Sequence, residues 1–154
     1  MKLSQILKPE AIKVIASASS KKRLLHDIGE LAQSAHGLDQ NRVVEALQER
    51  ESLGPTGVGH GVALPHARLS GIDKVQGAFI VLERPVDFNS IDRLPVDLIF
   101  ALFAPEEAGV EHLKALALVS RSLRDVALCK KLRANQDAAT LYAILTSDQN
   151  MQAA

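Results

Sequence analysis

Tryptophan is absent from this 154-residue chain, and aromatic residues make up only 3% of it. A stacking platform for single-stranded nucleic acid needs several such rings, so that class is excluded. Charge of either sign is not in excess: 18 basic and 18 acidic residues leave a formal net charge of +0. No bulk field therefore draws the protein to nucleic acid or to an anionic membrane. The single cysteine, Cys129, rules out an internal disulfide framework and a cysteine-rich metal site. It lies in "ALCKKL", where a structural thiol on a helix is expected. No apolar run reaches the roughly 20 residues of a membrane span, and "MKLSQILKPE" does not build a signal-peptide core. A reduced, cytoplasmic protein is expected.

What is present suits one globular domain. Apolar residues at 47% and charged residues at 23% allow a chain of this length to bury a real core. The domain is expected over residues 1–146, with "SDQNMQAA" (147–154) as a frayed tail. Ile12 to Ile15 reads as a short strand. Ser19 or Ser20 then caps a helix to about His36, with Leu24, Leu25, Ile28, Leu31, Ala32 and Ala35 at helical spacing and Gly37 as its stop. Asp39 caps a second helix, with Val43, Val44 and Leu47 on one side, ending near Glu51 ahead of "SLGPTG".

The period then changes. Val62-Ala63-Leu64 is a short extended piece. "GAFIVLE" (77–83) and "VDLIFALFA" (96–104) are near-continuous apolar runs, the pattern of strands buried on both faces. A helix from about Gly109 to Leu123 follows. Asp125 and Asp137 each cap a further helix, about 125–134 and 137–146. Helices before and after a buried sheet predict an α/β fold with a mixed sheet covered on both sides.

The chemistry concentrates in "GHGVALPHAR" (59–68). Pro65 fixes its own φ and holds Leu64 extended, which presents His66 where a strand ends. Gly59 and Gly61 permit a tight path and close approach of another group. An imidazole can serve as general base, metal ligand or nucleophile towards phosphorus. It can equally be a satisfied structural histidine, and chemistry alone leaves both open. Arg50 lies seven residues after Val43 and three after Leu47, at the edge of a buried helical face. It can complement the helix C-terminus or reach an anion. His112 precedes Leu116, Val119 and Leu123 on one apolar stripe, so it is a core histidine or a site residue. Two histidines and an arginine converging on a glycine-lined turn would suit a phosphoryl group. His60 and His66, six apart on an irregular segment, lack the further ligands a metal site needs, and no nucleophile-elbow motif for a Ser-His-Asp hydrolase is present.

The stretch "ESLGPTGVGHGVALPHA" (51–67) resembles the phosphorylation-site motif of fructose–mannitol type enzyme IIA domains. These belong to the bacterial phosphoenolpyruvate-dependent phosphotransferase system. The segments "SKKRLLHDIGELA" (20–32), "LQERESLG" (47–54), "PVDLIFALFAP" (95–105) and "HLKALALVSRSLRD" (112–125) resemble its nitrogen-regulatory branch, in which the domain stands alone rather than within a sugar permease.

The resemblance implies a five-stranded mixed sheet with helices on both faces. It implies that His66 accepts phosphate through Nε2 from a phosphohistidine carrier protein, a nitrogen-type HPr homologue. Arg50 would contact the phosphoryl group, His112 would help position it, and Thr56 with Gly57, Gly59 and Gly61 would line the pocket. No cofactor or metal is implied. Regulated partners would include sensor kinases or potassium-transport proteins. Two further readings are a sugar-specific IIA component that passes phosphate to a IIB domain, and a metal-binding or interaction module. The chain departs from the family pattern at Pro55, where Ser is usual, and at His60, where Asn is frequent.

Overall fold

The computed structural model describes residues 1–107 and 109–153. A one-turn helix α1 (Leu3–Ile6) and a 3-10 turn (Pro9–Ala11) lead into β1 (Ile12–Ile15). Helices α2 (Lys21–His36) and α3 (Gln40–Leu53) follow, then β2 (Gly57–Gly59), β3 (Val62–Ala63), β4 (His66–Leu69), β5 (Gln76–Val86) and β6 (Val96–Pro105). Helices α4 (Gly109–Leu123), α5 (Val126–Arg133) and α6 (Ala138–Ala153) complete the described chain.

Local chemistry sets the helix ends. The Ser20 side chain accepts from the Arg23 N–H and starts α2, which decides between the two serines; Gly37, at φ 71°, stops it in the left-handed conformation. Asp39 accepts from the Arg42 N–H at the start of α3. Asp125 accepts from the amides of Ala127 and Leu128 at the start of α5. Asp137 takes the Thr140 N–H at 3.0 Å. The last helix continues to Ala153, past the expected stop at 146; residue 154 lies outside the described residues.

The sheet runs β1-β5-β6-β3-β2, with β4 also paired to β6. It is mixed: β5 and β6 are antiparallel, while β1 on β5, and β3 and β4 on β6, are parallel. Strands β3 and β4 lie end to end on one edge of β6, facing Leu98–Ile99 and Leu102–Pro105 respectively. Six strands thus fill five positions, as expected of a five-stranded mixed sheet. Pro65 makes the break, because it has no N–H to give a ladder. Its carbonyl still accepts from the Leu102 N–H at 3.0 Å.

Period-2 alternation divides β6 between two cores. Leu98, Phe100, Leu102 and Ala104 join Leu118, Val119, Leu128, Leu141 and other residues on the α1, α4, α5 and α6 side. Ile99, Ala101 and Phe103 join Leu24, Ile28, Val43, Leu47 and others on the α2 and α3 side. This double burial is why the strand reads as one unbroken apolar run. Strands β2 and β4 and helix α1 carry no comparable local signal.

Candidate active site around His66

His66 opens β4 beside the break. Its Nδ1 lies 2.9 Å from the Leu64 carbonyl. A carbonyl only accepts, so Nδ1 carries the proton and Nε2 presents a lone pair. Arg50, in the last full turn of α3, donates its Nε–H to that Nε2 at 3.3 Å, while its Nη1 donates to the Gly54 carbonyl at 2.9 Å. One guanidinium thus closes its own helix and covers the free nitrogen of the imidazole.

His112 reaches the same place from the first turn of α4. Its ring centroid is 5.4 Å from that of His66, at an interplanar angle of 49°. The residue is buried, and its Nδ1 has no hydrogen-bond partner among the described residues. A buried nitrogen left unpaired is uncommon in a folded protein.

Both imidazoles are held below the ordinary histidine value of 6.5. For His66 burial is the main cause, with the Arg50 charge adding to it; the Leu64 bond and Glu51 act the other way. For His112 burial again comes first, followed by the neighbouring His66 and Arg68. Both rings are therefore neutral at pH 7, which keeps the Nε2 lone pair of His66 available.

The three residues line an open cavity of about 370 Å³, with Arg68, Glu49 and Leu53 at its walls. Arg68 was not singled out in the sequence. It stands two residues beyond His66 on β4, so the alternation of a strand puts both on one face. That spacing was the available signal.

Thr56, Gly57, Gly59 and Gly61 do not line this cavity. Thr56 is buried, and its hydroxyl and backbone N–H both donate to the Glu51 carboxylate, the latter at 3.1 Å. Lys21 pairs with the same carboxylate at 2.8 Å. Gly57 is pressed against Ser90: a Cβ there would stand 3.0 Å from the Ser90 Cα. Gly61, at φ 80°, leaves room for the Arg133–Asp97 ion pair. These residues shape the segment that leads to His66.

Neither departure from the family pattern falls inside the cavity. Pro55 is exposed between α3 and β2. His60 is exposed, sits at φ 57° in the turn between β2 and β3, and donates its N–H to Asp92 at 2.9 Å. Asn and His are both among the residues that tolerate the left-handed region, so the backbone accounts for either residue at this position. Among the described residues no group of three or more His, Cys, Asp or Glu is placed to hold a metal ion. No helix among them is long and apolar enough to cross a membrane.

Comparison with known proteins fits this geometry. A family model described as "Phosphoenolpyruvate-dependent sugar phosphotransferase system, EIIA 2" matches residues 5–148. The chain is 46% identical over 145 residues to a nitrogen regulatory protein of Bradyrhizobium diazoefficiens, covering 94% of this chain and 95% of that one. It is 40% identical over 150 residues to the nitrogen regulatory protein of Escherichia coli, covering 97% and 92%. The crystal structure of nitrogen regulatory protein IIA-Ntr from Neisseria meningitidis superposes with a TM-score of 0.87 at 38% identity, covering 94% of this chain and 99% of that one. With its sequence matched almost end to end and its fold shared with a nitrogen-regulatory relative, the chain belongs to the EIIA type-2 family of the phosphoenolpyruvate-dependent phosphotransferase system.

Proposed function

We propose that this protein is a phosphocarrier that accepts a phosphoryl group on Nε2 of His66 from a phosphohistidine carrier protein and acts on its targets according to its phosphorylation state. The observation that carries the reading is the paired fixing of the imidazole. Leu64 holds the proton on Nδ1, and Arg50 stands at Nε2, where the new bond forms.

The step is a simple exchange. The Nε2 lone pair forms the N–P bond as the donor's N–P bond breaks, and the donor ring keeps that electron pair. Nδ1 retains its proton, so the phosphorylated ring gains cationic character, which the Leu64 carbonyl stabilises. The Arg50 guanidinium suits the phosphoryl oxygens, the His112 ring stands beside them, and Arg68 adds a second positive charge at the rim.

Regulation follows from charge. A phosphoryl group adds about −1.5 to −2 charges, by analogy with phospho-hydroxyl residues. It would do so between exposed apolar side chains: Leu53 on the cavity wall, and Val110 and Leu113 beside His112. A partner that packs on these apolar residues in the unmodified state meets a charge it must bury in the modified one. The relatives named nitrogen regulatory proteins favour a regulatory role over transfer to a sugar-permease IIB domain, and the resemblance in sequence suggests sensor kinases or potassium-transport proteins as targets.

The test is incubation with phosphoenolpyruvate and the two upstream transfer proteins, followed by mass mapping. An acid-labile phosphoryl group on His66, lost in His66→Ala, is the expected result. Label retained by His66→Ala would overturn the site. Efficient onward transfer to a sugar-permease IIB domain would overturn the purely regulatory reading.

A further inference from the structure

A second cavity, of about 610 Å³, opens between the β2–β3 hairpin and helices α4 and α5. It shares no lining residue with the His66 pocket. Its volume lies in the range that takes a small organic ligand, roughly 300–1,000 Å³. The lining has two chemical characters. Val62, Leu64, Leu123 and Cys129 contribute buried apolar surface. The Cys129 thiol donates to the Leu123 carbonyl at 3.2 Å, and burial pushes its pKa up, so it is a neutral wall rather than a reactive group.

The rim is basic. Arg124 and Lys130 line the cavity, are exposed, and form no salt bridge among the described residues. No aspartate or glutamate is among the lining residues. The three nearby carboxylates are already engaged: Asp92, beside Gly59, accepts from the amides of His60 and Leu94. Asp97 is tied by the Arg133 guanidinium at 2.9 Å. Asp125 accepts from the amides that open α5. Two unpaired cations over an apolar floor complement a molecule with one anionic end and a hydrocarbon body.

We propose that this cavity is a binding site for a small amphipathic anion, with its apolar body on Val62, Leu64, Leu123 and Cys129 and its carboxylate or phosphate head between Arg124 and Lys130. Concavity favours a small molecule over a flat protein contact. The cavity shares no lining residue with the His66 pocket, and its test involves no phosphorylation, so it stands or falls separately from the phosphocarrier reading.

The test is a ¹H–¹⁵N NMR titration of the full chain at pH 7 with four probes: decanoate, decyl phosphate, decanol and acetate. Saturable binding of decanoate or decyl phosphate is expected, with amide shifts confined to residues 58–64 and 120–133. Decanol should bind about tenfold more weakly, and acetate should not saturate. The double variant Arg124→Gln/Lys130→Gln, at two exposed positions, should keep its melting temperature and weaken binding about tenfold. Equal binding of decanol, saturation by acetate, shifts centred elsewhere, or an unaffected double variant would each overturn the proposal. Binding of an acidic amphipathic peptide with none of decanoate or decyl phosphate would also overturn it, in favour of a protein partner.

Discussion

The Arg50 Nε–H points at the one nitrogen of His66 that is not already committed, 3.3 Å away. The contact spans 16 residues of chain and joins the end of α3 to the start of β4. Arg50→Ala should slow labelling of His66 by about 10²-fold, the scale for losing one preorganised donor. It should cost only about 1 kcal/mol of stability, from the bond to Gly54. Arg50→Lys should fall between, since an ammonium lacks the fork that serves Gly54 and Nε2 together. Rapid-quench labelling beside urea unfolding separates the two effects; an unchanged labelling rate in Arg50→Ala would remove Arg50 from the site.

Stability should fall on mild acidification. Burial is the leading cause holding His36, His66 and His112 below 6.5. As pH drops through about 6.5, the unfolded chain takes up protons that the folded chain resists, so protonation favours unfolding. The urea midpoint should be lower at pH 5.5 than at 7.5. His36 donates from Nε2 to the Gly77 carbonyl at 2.8 Å, away from the His66 pocket, so His36→Gln should shrink the difference. A midpoint that is flat or rises on acidification would contradict the neutral state of these rings.

Glu51 should be structural rather than a participant in transfer. Its carboxylate, 6% exposed, takes the Lys21 ammonium and both donors of Thr56. Glu51→Ala leaves a half-buried cation and two donors without their acceptor, at a cost of about 3 kcal/mol. Chemical denaturation measures this directly. A loss under about 1 kcal/mol would show that water replaces the carboxylate at little cost.

Gly57 should resist any side chain. Gly57→Ala sets a methyl against the backbone of Ser90 and should cost about 1–3 kcal/mol by overpacking. Ser90→Gly removes the Ser90 side chain, so the double variant should lose less than the sum of the two single losses. Strict additivity would mean that the two positions do not press on each other.

Much of the scaffold was legible because its signals are local. The serine and aspartate caps, the stop at Gly37 and the spacing of Leu24, Ile28 and Leu31 all act within one helix. The two long strands announced themselves because each is buried on both faces. Strands β2 and β4 were not legible: they are three and four residues long, and β4 exists through its pairing with β6, more than thirty positions on. The same distinction governs the site. Pro65-His66 is a local motif, whereas the meeting of Arg50, His66 and His112 is made by tertiary packing that no periodicity encodes. The resemblance put Thr56 and the glycines at the pocket; the packing instead gives Thr56 to Glu51 and Gly57 to Ser90.

The break between β3 and β4 has a consequence for solubility. An edge strand offers a row of free donors and acceptors on which a second chain can assemble. On this side of β6 the row is short: β2 already covers β3, and β4 offers only four residues. Leu64 spends its N–H on Thr56 and its carbonyl on the His66 ring. Pro65 has no N–H, and its carbonyl is taken by Leu102. The residues that present His66 therefore also interrupt this margin of the sheet, and deprive a second chain of a continuous strand to pair with there.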